Sequence, residues 1–226
     1  MTLKAVLFDL GLTLIHTVSF PEIYRRILVK FNVNVSINDI IEAQNSTATE
    51  FDISTYNKHR REEFWVDYNV TLLKKLDIQE NIVFLANQID ELWWIFSDVQ
   101  LYPEVESTLS ELKAKDLKLG LISNGFKKDI AYVLEKLKLE KWFDSVVCID
   151  SCNCAKPDNQ IFLFALDQLA IKSSEAIFVG DSISHDYEGA LGVGIKPYLI
   201  DREGKYSDNY NRIENLTDLL GVVNFH

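Results

Sequence analysis

Five short apolar runs recur along this chain, at 4–9, 117–122, 145–149, 176–180 and 196–200, and each ends in, or is followed directly by, a small or polar residue. Continuous apolar runs of that length are what strands buried on both faces look like. Helical patterns near 103–115, 126–138, 158–170 and 185–192 precede the last four runs in turn. Repeated strand–helix units of this kind imply a doubly wound α/β core, a parallel sheet with helices on both faces. In such a sheet, ligands bind beyond the carboxyl ends of the strands.

What stands at those ends is acidic. The first run breaks at Asp9, in Ala5-Val6-Leu7-Phe8-Asp9-Leu10-Gly11-Leu12-Thr13-Leu14, and the fourth at Asp181, with Asp186 close behind. Three carboxylates held together would repel and shift one another's pKa values. A hard cation with oxygen ligands, magnesium above others, or a bound proton is therefore implied.

The stretch 16–98 reads differently, with helical periodicity and no buried strand. Pro21 follows Ser19-Phe20 as an early-helix signal, and Ser36 with Asp39 makes a capping pair. The segment 56–76 carries Trp65, Leu72, Leu73 and Leu76, and a second follows at 80–96. The expected organisation is a Rossmann-like core from 1–15 and 99–226, with an all-α cap, 16–98, inserted after the first strand.

A formal charge of -11 argues against a nucleic-acid partner, which needs a basic footprint. No apolar run reaches the length of a membrane span, and no secretory signal stands at the N-terminus, so a cytoplasmic protein with no membrane partner is expected. Cys148, Cys152 and Cys154 are odd in number, crowded together and short of a fourth ligand. Neither a disulfide framework nor a zinc site is expected from them.

In motif order and over nearly its whole length, the chain resembles the haloacid dehalogenase superfamily. The first motif runs from Asp9 to Thr13, and the second is Ser123 in Leu121-Ile122-Ser123-Asn124-Gly125. The third is Lys156 in Ala155-Lys156-Pro157-Asp158-Asn159-Gln160-Ile161-Phe162, and the fourth is Gly180-Asp181-Ser182 with Asp186 and Gly189-Ala190. The resemblance implies a magnesium-dependent phosphatase of a small phosphorylated metabolite, with Asp9 as nucleophile and an aspartyl-phosphate intermediate. It also implies magnesium held by Asp9, the Gly11 carbonyl and Asp181, with Asp186 as a further ligand or a support. Ser123 and the Asn124 amide would donate to phosphoryl oxygens, Lys156 would neutralise charge, and Thr13 would orient the first loop. The site would lie between core and cap, with cap closure excluding water.

Two positions depart from the family pattern. Gly11 stands where phosphatases carry a second aspartate as general acid, and Leu12 where they carry a glycine. The 2-haloacid dehalogenase branch also lacks the second aspartate, because a halide needs no proton, and it is metal-independent. That branch is the alternative enzyme, and a low-activity binding or regulatory protein is the alternative outside catalysis. Asp181 favours the phosphatase, since a buried acid with no task is costly. His16 could supply the missing proton, although an exposed loop histidine is the plainer expectation. Arg25-Arg26 and Lys58-His59-Arg60-Arg61 could meet a substrate anion, but read first as solvated helix faces. Trp93-Trp94-Ile95-Phe96 reads as packing within the insert.

Overall fold

The computed structural model describes residues 2–51, 61–207 and 209–224. They divide into two compact units, Met1–His16 with Gln100–His226, and Thr17–Val99. In chain order, β1 (Ala5–Phe8) is followed by a tight loop and the two-residue β2 (Ile15–His16). Among the described residues of the second unit there are four helices: α1 (Phe20–Lys30), α2 (Ile37–Ala48), α3 (Arg61–Lys75) and α4 (Ile82–Phe96). The chain returns through β3 (Gln100–Leu101), α5 (Val105–Ala114), β4 (Lys118–Ile122), α6 (Lys127–Leu137), β5 (Ser145–Val147) and the short α7 (Ile149–Cys152). It ends through α8 (Asn159–Gln168), β6 (Ala176–Gly180), α9 (Glu188–Gly192), β7 (Lys196–Ile200), β8 (Arg212–Ile213) and α10 (Asp218–Asn224). A single π turn, Ile183–Tyr187, leads into α9.

The strands form one parallel sheet in the order β5-β4-β1-β6-β7-β8, and β2 pairs antiparallel with β3 apart from it. From β1 the chain winds outward to β4 and β5, then crosses back to β6 on the other side. The connections leaving β1 and β6 therefore part at their carboxyl ends, and a reversal of that kind opens a crevice. Phe8 lies level with Val179 across this seam. Below it, Leu7, Ile122, Ile161, Phe162 and Phe178 are fully buried in one cluster, with the Phe162 and Phe178 rings 5.4 Å apart.

The helical unit buries Ile23, Ile27, Leu28, Ile40, Leu72, Leu73, Leu85 and Ile89. Pro21 sits in the first turn of α1, where its missing N–H costs nothing. The Ser36 hydroxyl accepts from the Asp39 main-chain N–H at 3.1 Å, capping α2. Trp93 packs against Phe20 and Tyr24, at 5.1 and 5.2 Å between ring centroids. Among the described residues no helix is long and apolar enough to cross a membrane.

Three short strands and a disulfide were not expected. β2, β3 and β8 are two residues each, too short for any periodicity to mark them. The third expected run, 145–149, also stops early, because Cys148 and Ser151 cap a helical turn beginning at Ile149. Cys152 is bonded to Cys154, whereas Cys148 is free and buried. Parity and crowding speak to frameworks of bridges, and they miss a link across one turn. Such a bridge closes so short a loop that it constrains the unfolded chain little.

The helical unit contains one buried polar link whose cost can be measured. Asn69, on α3, accepts from the Tyr24 hydroxyl at 2.6 Å and donates to the Ala86 carbonyl at 3.1 Å. Asn69→Ala orphans the Tyr24 hydroxyl and should lower the unfolding free energy in urea by about 1–3 kcal/mol. In a Tyr24→Phe background the same change should cost less, because no hydroxyl is left unpaired. Equal costs in both backgrounds would reduce Asn69 to a packing residue.

Candidate active site

Asp9 leaves the end of β1 with its main-chain N–H donating to the Val179 carbonyl at 2.9 Å, which ties it to β6. Asp181 follows β6 directly, so the two acids stand on neighbouring strand ends. Asp186 reaches them from the π turn. Its Oδ2 accepts from the Ser182 N–H at 3.0 Å, and its side chain occupies the space where a Cβ on Gly180 would be. A glycine is needed at 180 for that reason. One oxygen each of Asp9, Asp181 and Asp186 lies within 4.8 Å of the other two.

A single cation sits inside this cluster. Lys156 Nζ donates to Asp9 Oδ1 and to Asp186 Oδ1, both at 2.6 Å, and lies 5.5 Å from the centre of the Phe178 ring. The lysine is 2% exposed. Its backbone is held as well. Its N–H donates to Asn124 Oδ1 at 2.7 Å, and Asn124 Nδ2 donates to its carbonyl at 2.9 Å. The Asn124 side chain is thus the clamp on Lys156, a use that its place in the second motif does not signal. Ser123, at the end of β4, is buried, and its Oγ accepts from the Gly125 N–H at 3.2 Å. Thr13 is fully buried and donates its hydroxyl to Asp9 Oδ2 at 3.2 Å.

Electrostatically the site is short of positive charge. Burial, with Asp186 and Asp181 nearby, outweighs Lys156 and pushes the Asp9 carboxyl up to about 7. Burial and Asp186 push Asp181 up to about 6. Lys156 stays above its ordinary value, because Asp9 and Asp186 outweigh the burial that would lower it. Three hard oxygen donors with a surplus of negative charge fit a divalent cation such as magnesium.

The first loop tolerates both departures from the family pattern. Leu12 takes left-handed backbone, which glycine adopts freely, at φ 57°, and the residue is 57% exposed. Left-handed backbone costs a leucine about 1–2 kcal/mol. At Gly11 φ is not positive, and an added Cβ would meet no atom within 4 Å. His16 pairs with Gln100 across β2 and β3 and lies half-buried, its ring 5.0 Å from that of Tyr102. Arg25 and Arg26 both pair with Glu22, and Arg26 also with Asp98. Residues 58–60 of the basic run lie outside the described residues. Sequence reasoning missed Arg202, which donates to the Thr13 carbonyl at 2.9 Å. A lone arginine after a strand carries no local signal of such a task.

A family model described as haloacid dehalogenase-like hydrolase matches residues 6–200. The chain is 31% identical over 233 residues to a protein of Methanocaldococcus jannaschii named glyceraldehyde 3-phosphate phosphatase, covering 98% of this chain and 97% of that one. Among solved structures it is similar to a HAD phosphatase from Thermococcus onnurineus, with a TM-score of 0.66, 26% identity and 98% of each chain covered. It is also similar to a 2-haloacid dehalogenase from Pseudomonas syringae, with a TM-score of 0.72, 27% identity and 99% of each chain covered.

The raised carboxyls predict an unusual stability profile in chelator. A group whose pKa rises on folding stabilises below its unfolded value, near 4, and that stabilisation is lost as pH climbs through the folded value. For Asp9 and Asp181 the loss runs from about 4 up to about 7. The melting temperature of the chelated protein should fall across that window, and added magnesium should remove most of the fall. A melting temperature that rises across the same window, without metal, would contradict the charge balance described.

Proposed function

The chain belongs to the haloacid dehalogenase-like hydrolases, and on that premise we propose that it is a magnesium-dependent phosphatase acting on a small phosphorylated metabolite. The observation that carries the reading is the cluster of Asp9, Asp181 and Asp186, in which a single buried lysine bonds Asp9 and Asp186 and leaves negative charge in surplus. A carboxylate attacking a phosphate must overcome like-charge repulsion, and a cation at this cluster answers that need. Displacing a halide from an uncharged carbon makes no such demand, so the extra acid has no task in a dehalogenase.

Asp9 is the nucleophile. One of its carboxylate oxygens bonds to phosphorus while the bond from phosphorus to the leaving oxygen breaks. Water then attacks phosphorus, releasing inorganic phosphate and restoring Asp9. Thr13 and Lys156 fix the rotation of the Asp9 carboxylate from its two sides, which keeps the attacking oxygen aimed. Ser123 Oγ already accepts from Gly125, so its remaining capacity is to donate to a phosphoryl oxygen. With the Asn124 side chain committed to Lys156, its main-chain N–H is the group left to donate. Asp9, Asp181 and the Gly11 carbonyl, with Asp186 beside them, would hold magnesium, which would supply charge neutralisation.

The helical unit, Thr17–Val99, serves as the cap and selects the substrate. The name of the Methanocaldococcus jannaschii relative makes a three-carbon sugar phosphate the first compound to try. Such charged metabolites stay inside cells, which supports a cytoplasmic place of action.

Turnover of p-nitrophenyl phosphate should require magnesium, stop in chelator, and vanish in Asp9→Asn without loss of fold. Hydrolysis of 2-chloropropionate that survives chelator would decide for the dehalogenase instead. Gly11 adds a second expectation, because nothing at that position protonates the leaving group. The rate ratio of aryl to alkyl phosphate should be steep in the native protein. Gly11→Asp has room for its side chain and should raise alkyl-phosphate turnover selectively, by about a hundredfold if the acid is fully effective. A flat dependence on leaving group in the native protein would overturn the claim that Gly11 limits the chemistry.

A further inference from the structure

Arg202 follows β7, outside every motif of the family, and its guanidinium is committed on three sides. Nη2 donates to the Thr13 carbonyl at 2.9 Å. Nη1 pairs with Glu104 Oε1 at 2.7 Å. The plane lies over the Tyr102 ring with its central carbon 3.5 Å from the ring centroid. The pose leaves Nε buried without a hydrogen-bond partner. An arginine placed only for a surface ion pair would not give up a donor in that way, because orphaning a buried N–H is costly.

What these contacts join is informative. Thr13 donates its hydroxyl to Asp9 Oδ2 while its carbonyl accepts a hydrogen bond from Arg202. The same loop closes on itself, with the Leu14 and Ile15 N–H groups donating to the Leu10 carbonyl. The Tyr102 N–H donates to the Leu14 carbonyl. Glu104 precedes α5, and its carboxylate also takes the Leu216 N–H at 3.5 Å. Arg202 therefore spans two supports for one loop: Thr13 itself, and the segment 102–104 on which Leu14 rests.

We propose that Arg202 is the positioning residue of the first loop, holding Thr13 so that the Thr13 hydroxyl fixes the attacking carboxylate of Asp9. It touches neither substrate nor reacting atoms. The loop needs such a hold because Leu12 sits in left-handed backbone that a leucine resists, and nothing lies within 4 Å of a Cβ built on Gly11. The role rests on Asp9 being the nucleophile, but the hold on the loop does not, and the two can be measured apart.

The test uses Arg202→Met and Arg202→Lys in the full chain. Lysine keeps a cation for Glu104, but one ammonium cannot serve Glu104 and Thr13 while stacking flat on Tyr102. Both variants should therefore behave alike, and the lysine variant carries the test if the methionine variant does not fold. With p-nitrophenyl phosphate and magnesium, kcat should fall by about a hundredfold while KM stays within about twofold, since alignment is lost rather than binding. Hydrogen exchange in the peptide covering 9–16 should quicken about tenfold, with α8 unchanged. Native kcat, native exchange in that peptide, or a raised KM with native kcat in either variant would overturn the inference. If the native protein turns over no phosphate ester, the phosphatase reading fails, and the exchange measurement alone decides whether Arg202 holds the loop.

Discussion

Lys156 carries a buried charge between two buried carboxylates, and the architecture around it exists to keep it there. Its ammonium bonds Asp9 and Asp186 at 2.6 Å each, and its backbone is clamped by Asn124. A buried ion pair of this sort adds little net stability, since desolvation consumes most of the attraction, but removing one member is severe. Its retention therefore points to chemistry rather than to folding. The order β5-β4-β1-β6-β7-β8 brings the ends of β1 and β6 together, so Asp9 and Asp181 become neighbours although 172 positions of chain separate their numbers, 9 and 181. Gly180 then leaves the opening through which Asp186 joins them.

The large elements were legible because their signals are long. β1 and β6 are unbroken apolar runs, β4 and β7 are apolar after a leading lysine, and an apolar strand that ends in an acid announces where a ligand would bind. Asp9, Asp181, Asp186 and Lys156 stood out from the sequence, and the fold brings all four into contact range. The failures share a physical cause. β2 and β3 are held by partners far apart along the chain, β8 by its pairing with β7, and two residues cannot show a period. The Asn124 side chain faces a lysine 32 residues on, so its use could not be read from the Ser123-Asn124-Gly125 turn. Arg202 and Thr13 are 189 positions apart, and nothing local ties one to the other.

Gly11 and Leu12 show how a family loop can change its chemistry and keep its shape. The backbone at Leu12 remains left-handed, and the loop still closes onto the Leu10 carbonyl. The metal-facing side of the loop is a matter of main-chain geometry, which glycine at 11 supplies as well as aspartate does. Proton delivery is a matter of a side chain, which glycine lacks. The two demands on this position are thus separable. Arg202, stacked on Tyr102 and reaching Thr13, stiffens a loop that has given up its usual residues.

A nucleophilic Asp9 is phosphorylated during turnover, and mass mapping of the acid-quenched enzyme would find the group there. With p-nitrophenyl phosphate and magnesium at steady state, the peptide containing Asp9 should carry one phosphoryl group, lost on treatment with hydroxylamine as an acyl phosphate is. Steady turnover with that peptide unmodified, and the phosphoryl group found on another side chain, would contradict the account.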